Sequence, residues 1–101
     1  MAVTSAVMDR ELTLSVTGEV DHHAAAQIMA EIERQVEERL PRVLILDLGG
    51  VTFMDSSGIA VVLRCYKRAG ELGGSLTVRN TPAQALKVLK AAGLERMIHF
   101  E

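Results

Sequence analysis

The sequence predicts an α/β fold, a four- to five-stranded mixed sheet with three main helices, an antiparallel hairpin at the N-terminus and parallel strands in the core. Segments of β period alternate with segments of helical period, and the helical ones carry recognisable start and stop residues. One run, Val43-Leu44-Ile45-Leu46-Asp47-Leu48, is almost wholly apolar, as is a strand buried on both faces of a sheet covered by helices. Repeated strand-then-helix units imply right-handed crossovers and parallel pairing. The 101 residues form a single domain, 1–101, long enough for one core and too short for two.

Residues 2–8 and 11–17 are both β-compatible, and Asp9-Arg10 connects them tightly without the favoured glycine. In the second strand Leu12, Leu14 and Val16 alternate with Thr13, Ser15 and Thr17, the period of a strand with one buried face, and Gly18 ends it. Over residues 21–40, Ala25, Ile28, Met29, Ile32, Val36 and Leu40 recur at helical spacing, while Glu31, Glu33, Arg34, Glu37, Glu38 and Arg39 fill the other face. Asp21 is the natural N-cap of this helix and Pro41 stops it. The apolar run from Val43 is the central strand, and Gly49-Gly50 reads as a turn. Val51-Thr52-Phe53-Met54 then leads through Asp55-Ser56-Ser57-Gly58 into a helix with the apolar stripe Ile59, Val62, Leu63 and Tyr66.

Gly73-Gly74 releases that helix, glycine supplying the left-handed conformation past its end, and residues 75–79 form a short strand. Thr81-Pro82-Ala83-Gln84 has the form of a capping box with proline at the first helical position. The helix it opens carries Leu86, Val88, Leu89 and Ala92, Gly93 closes it, and residues 97–100 form a short strand or turn.

Composition narrows the function. A net charge of −2 with Lys and Arg scattered offers no basic field for a phosphate backbone, so no direct nucleic-acid binding is expected. The single cysteine, Cys65, excludes an internal disulfide and a multi-cysteine zinc site, and inside a helix it reads as a small apolar residue. The longest apolar runs are strand-sized, far below the roughly 20 residues of a membrane span, and no charged segment leads into an apolar signal region. The expected location is cytoplasmic, without membrane contact.

Topology places the chemistry. Strand-to-helix loops emerge at the carboxyl edge of parallel strands, where open α/β sheets bind their ligands. Gly18-Glu19-Val20-Asp21 and Phe53-Met54-Asp55-Ser56 are both loops of this kind and are expected side by side, although more than thirty residues separate them. Two hydroxyls, Ser56 and Ser57, stand at a helix N-terminus, where unpaired N–H groups could receive a phosphate. A switch serine and a plain cap, Asp55 or Ser56, are both consistent with this segment.

Enzymatic readings fare poorly. Ser56 or Ser57 with His22, His23 and Asp21 supplies the residue types of a hydrolytic triad, but the G-x-S-x-G elbow is missing: Met54 or Asp55 stands in place of the first glycine. Asp21-His22-His23 are consecutive at a helix start and point in different directions, with no ligand pair one turn on, so no metal is expected. Gly49-Gly50 and Gly73-Gly74 match neither a P-loop nor a dinucleotide fingerprint, and no cofactor is expected.

Gly18-Glu19-Val20-Asp21-His22-His23, the apolar strand from Val43, Phe53-Met54-Asp55-Ser56-Ser57-Gly58, Tyr66-Lys67, Gly73-Gly74 and Ala92-Gly93-Leu94 together resemble a STAS domain over essentially the whole chain. Within that family the chain looks like a bacterial anti-sigma factor antagonist, most of all the antagonists of the anti-sigma-F factor of endospore-forming bacteria. The resemblance implies a non-enzymatic, partner-switching protein. Its unphosphorylated form would bind an anti-sigma factor that is an ATP-dependent serine kinase, releasing the sigma factor. Phosphorylation on the serine after the Asp, here Ser56, would inactivate it, and a PP2C-type phosphatase would restore it.

On the same resemblance Asp55, Ser57 and Gly58 surround the acceptor in the recognition loop. Asp21 is assigned an ionic contact with the kinase, and His22 and His23 are further contact candidates. The pattern departs at the C-terminus, where the sequence stops at His99-Phe100-Glu101 while such antagonists often continue; a final helix or tail is missing from the pattern here. A STAS scaffold that is never phosphorylated and a nucleotide-binding STAS protein are the alternative readings.

Overall fold

In the second strand Leu12, Leu14 and Val16 are buried, Thr13 and Ser15 half-buried and Thr17 exposed, so a single face of the sheet receives the core. The structure, a computed structural model, describes residues 3–101. Ala2, expected to open the first strand, lies outside the described residues. The elements in chain order are β1 (Val3–Met8), β2 (Glu11–Val20), α1 (His22–Arg39), β3 (Val43–Met54), α2 (Ser57–Glu71), β4 (Ser75–Arg79), α3 (Ala83–Ala91), a 3-10 turn (Leu94–Arg96) and β5 (His99–Phe100). The strands lie in the order β1-β2-β3-β4-β5, with β1 antiparallel to β2 and every other neighbouring pair parallel. The predicted class therefore holds, a five-stranded mixed sheet with three helices.

All three helices feed one apolar cluster. Ile28, Ile32 and Val36 of α1, Val61, Val62, Cys65 and Ala69 of α2, and Ala85 and Leu89 of α3 pack with Leu12, Leu14, Leu44, Leu46 and Val78 of the sheet. Ile45 is 3% exposed yet outside that cluster, in a cross-strand row between Thr13 and Thr77. The expectation that helices cover both faces of β3 is thus corrected. The second face of the central strand is flanked by neighbouring strand residues rather than by a helix.

Further expectations change. Gly49-Gly50 is not a turn, because β3 runs unbroken through it, and β2 likewise continues through Gly18, at φ 85°, to Val20. The pairing slips here. Ser15 faces Asp47 but Thr17 faces Gly50, and Gly18 faces Val51 but Glu19 faces Phe53, so β3 holds extra residues in two bulges. A Cβ on Gly50 would stand 2.6 Å from Thr17 Cγ2, which is why glycine occupies the first bulge.

In α2 the buried face is Gly58, Val61, Val62, Cys65 and Ala69, and Leu63 and Tyr66 are exposed. Its small residues let the helix approach the sheet, an outcome a stripe of large apolar residues does not predict. Leu40 is exposed and adopts the left-handed conformation as the C-cap of α1, its N–H donating to the Val36 carbonyl. In α3, Ala85 and Leu89 are buried while Ala92 is exposed. The 97–100 segment is in part the short strand β5, parallel to β4 through Thr77–His99 and Val78–Phe100.

Candidate functional site

The long β2 and β3 end together. Val20 pairs with Met54, and the Asp55 N–H donates to the Val20 carbonyl at 3.1 Å, so the β2–α1 and β3–α2 loops share one edge as topology required. Asp21 caps α1, its Oδ1 accepting the Ala24 N–H at 2.9 Å. Asp55 does more than cap. Its Oδ1 accepts the Ser57 N–H at 2.7 Å, and its Oδ2 accepts the His22 N–H at 3.1 Å, across 33 residues. The Ser57 amide, with the Ser57 hydroxyl and the His22 amide adding to it, holds the Asp55 carboxyl below its ordinary pKa.

Ser56 precedes the first turn of α2 in helical conformation, is exposed, and makes no side-chain capping bond. Of the two capping readings, Asp55 takes the role and the Ser56 hydroxyl is left over. The N–H groups expected to be open are engaged: Ser57 on Asp55 Oδ1, Gly58 on the Asp55 carbonyl at 3.0 Å and Ile59 on the Ser56 carbonyl at 3.1 Å. The expected phosphate cradle is therefore corrected, because Asp55 and the tight first turn already satisfy those donors.

Ser57 is half-buried and Gly58 buried. A Cβ on Gly58 would lie 2.3 Å from Met54 Cγ, so this glycine lets the end of β3 pack under α2. His22 and His23 are exposed with their rings edge-on, centroids 6.0 Å apart, and it is the His22 main chain that joins the site. Exposed Glu19 and half-buried Asp21 and Asp55 give the edge its acidic character. No hydrogen bond among the described residues links either imidazole to Ser56 or Ser57.

Two residues at this edge take roles that the sequence does not assign them. Phe53 is 43% exposed opposite Glu19, and only the bulged register reveals its place. Gln84 accepts the Met54 N–H on Oε1 at 2.8 Å and donates from Nε2 to the Met54 carbonyl at 2.7 Å. The expected capping box is consequently not formed: Pro82 is the cap residue without a side-chain bond, and Thr81 Oγ1 has no partner. Gln84 is drawn away because β4 stops opposite Asp47, leaving Met54 without a strand neighbour on that side.

Cys65 is fully buried and burial pushes its thiol up to about 12, so it stands apart from any surface chemistry. Among the described residues no group of His, Cys, Asp and Glu could hold a metal ion, and no helix is long and apolar enough to cross a membrane.

The chain matches the STAS domain family over residues 2–101. It is 29% identical over 87 residues to an anti-sigma F factor antagonist of Paenibacillus polymyxa, covering 86% of this chain and 74% of that protein. Its fold superposes on the anti-sigma factor antagonist SpoIIAA in its unphosphorylated form with a TM-score of 0.82 at 27% identity, covering 99% of this chain and 88% of the other. Against SpoIIAA of Bacillus in the phosphorylated form the TM-score is 0.73, again at 27% identity, covering 99% and 91%. A bulged β2–β3 pair, helices gathered on one face and a serine loop at the carboxyl edge are thus set in a chain that belongs, over nearly its whole length, to the STAS domain family.

Proposed function

We propose that this protein is an anti-sigma factor antagonist of the sporulation type, switched by phosphorylation of Ser56. The observation that carries the reading is the exposed Ser56 hydroxyl, free of structural bonds in a loop that Asp55 braces from both sides. Such a hydroxyl is accessible to a kinase at no cost to the fold. The relatives named as antagonists, and SpoIIAA, which exists in unphosphorylated and phosphorylated forms, support the same reading.

In the unphosphorylated state the acidic edge of Glu19, Asp21 and Asp55 binds an anti-sigma factor that is itself an ATP-dependent serine kinase. Asp21 meets a basic side chain of that kinase; His22, His23 and Ser57 lie at the contact, and Gly58 holds the loop from beneath. Binding displaces the sigma factor. Phosphate on Ser56 adds roughly −1.5 to −2 charges beside these carboxylates. Because the first-turn amides are already engaged, the phosphate gains little from the helix and projects toward the partner, which it repels. A PP2C-type phosphatase resets the switch.

The test is incubation with the candidate kinase and ATP, followed by mass-spectrometric mapping in wild type, Ser56→Ala and Ser57→Ala. Stoichiometric phosphate on Ser56, lost only in Ser56→Ala, is the expected result. Phosphate lost only in Ser57→Ala, or none on a folded protein that binds the kinase, contradicts the reading.

A further inference from the structure

The last residues of β3 lack a neighbour on one side. β4 pairs with β3 only from Val43 to Asp47, and the chain then turns away through Asn80, at φ 58°. On the β2 side the Asp55 N–H reaches the Val20 carbonyl. In a parallel strand consecutive residues direct their main-chain groups to opposite sides, so the Met54 N–H and carbonyl face the space β4 has vacated. The Gln84 carboxamide fills it, one donor and one acceptor at 2.7 and 2.8 Å, as a strand residue would. The Asn80 side chain steadies the same connection, Nδ2 donating to Asp47 Oδ2 at 3.2 Å. Met54 immediately precedes Asp55 and Ser56, and its buried side chain lies against Gly58.

We infer that Gln84 is a positioning residue for the phosphoacceptor loop, standing in for an absent strand and so fixing where Asp55 and Ser56 emerge from the sheet. The inference rests on Ser56 being the acceptor, and α3 becomes the element through which a ligand or substitution could alter the switch without touching its surface.

The test measures amide hydrogen exchange and kinase kinetics on the full chain, for wild type, Gln84→Leu, Gln84→Glu and the exposed control Lys87→Ala. Gln84→Leu removes both bonds; exchange at Met54, Asp55 and Ser57 should quicken at least roughly fivefold, the low end of what losing two hydrogen bonds implies. Exchange at the centre of β2 should stay unchanged, and kcat/KM for Ser56 phosphorylation should fall by a similar factor. Gln84→Glu, which keeps the acceptor for the Met54 N–H and loses the donor, should lie between, and it serves if the leucine variant does not fold. Lys87→Ala should match wild type in both measurements. Unchanged local exchange in the Gln84 variants overturns the inference whatever the kinase does, as does quickened exchange with wild-type phosphorylation kinetics. Quickened exchange in a protein whose wild type is never phosphorylated keeps Gln84 as the strut of this loop and overturns the phosphoacceptor reading instead.

Discussion

The Asp55 carboxylate joins the main-chain N–H of His22, 3.1 Å away, to that of Ser57, 2.7 Å away, and so ties the start of α1 to the start of α2. One short side chain thereby sets the relative position of the two loops that form the edge. The same carboxylate spares the neighbouring Ser56 hydroxyl from capping duty.

Both donors favour the charged form of Asp55, the Ser57 amide most, and its pKa is lowered. A carboxyl whose folded pKa is depressed contributes stability above its unfolded pKa and loses that contribution as pH falls through the folded value. The clamp therefore holds at neutral pH and opens only in acid, below the ordinary Asp range. An NMR titration should show the His22 and Ser57 amides moving together with a midpoint below that of unfolded Asp. Asp55→Asn should abolish this transition.

Removing the Ser56 hydroxyl should cost the fold almost nothing, since it makes no capping bond. Ser56→Ala and Ser56→Asp are each expected within about 0.5 kcal/mol of wild type in denaturant melts, as for surface changes generally. Only Ser56→Asp should weaken binding to the anti-sigma factor. Wild-type affinity in that variant counts against electrostatic switching.

Two glycines separate side-chain from backbone obstruction. A Cβ on Gly58 would meet Met54 Cγ at 2.3 Å, whereas one on Gly74 would meet the Arg42 main-chain oxygen at 2.3 Å. Met54 can change rotamer; the start of β3 cannot move without breaking the Ser75 N–H bond to that oxygen. Gly58→Ala should cost about 1–2 kcal/mol and Gly74→Ala about 3 kcal/mol by urea denaturation, within the range of overpacking.

Cys65, with its thiol raised to about 12 by burial and, secondarily, by Glu33, should resist thiol reagents in the native protein at pH 8 and react only on unfolding. Cys65→Ser, which places a hydroxyl in the apolar cluster, should cost about 1–3 kcal/mol.

Patterns confined to one segment were legible in the sequence. The alternation of β2, the cap at Asp21 and the adjacency of the two acidic loops all depend on local period or chain direction, and the structure shows each. What escaped depends on a partner far along the chain. Gly49-Gly50 resembles a turn until Thr17 is placed beside it, and Gln84 resembles a capping residue until β4 is seen to stop short of Met54. On α2 the expected stripe holds at Val62 and partly at Ile59 but not at Leu63 and Tyr66, because close approach to the sheet selects small side chains over large ones. At the site, the residue types were readable, but the division of labour between Asp55 as clamp and Ser56 as free hydroxyl required the bond geometry.

Switching by Ser56 is tested most directly by the affinity of one preparation for the anti-sigma factor, measured by calorimetry before and after stoichiometric phosphorylation of Ser56. Phosphorylation should weaken binding at least tenfold, about 1.4 kcal/mol, with the fold intact by circular dichroism and affinity regained on phosphatase treatment. Equal affinity in the two states would contradict it.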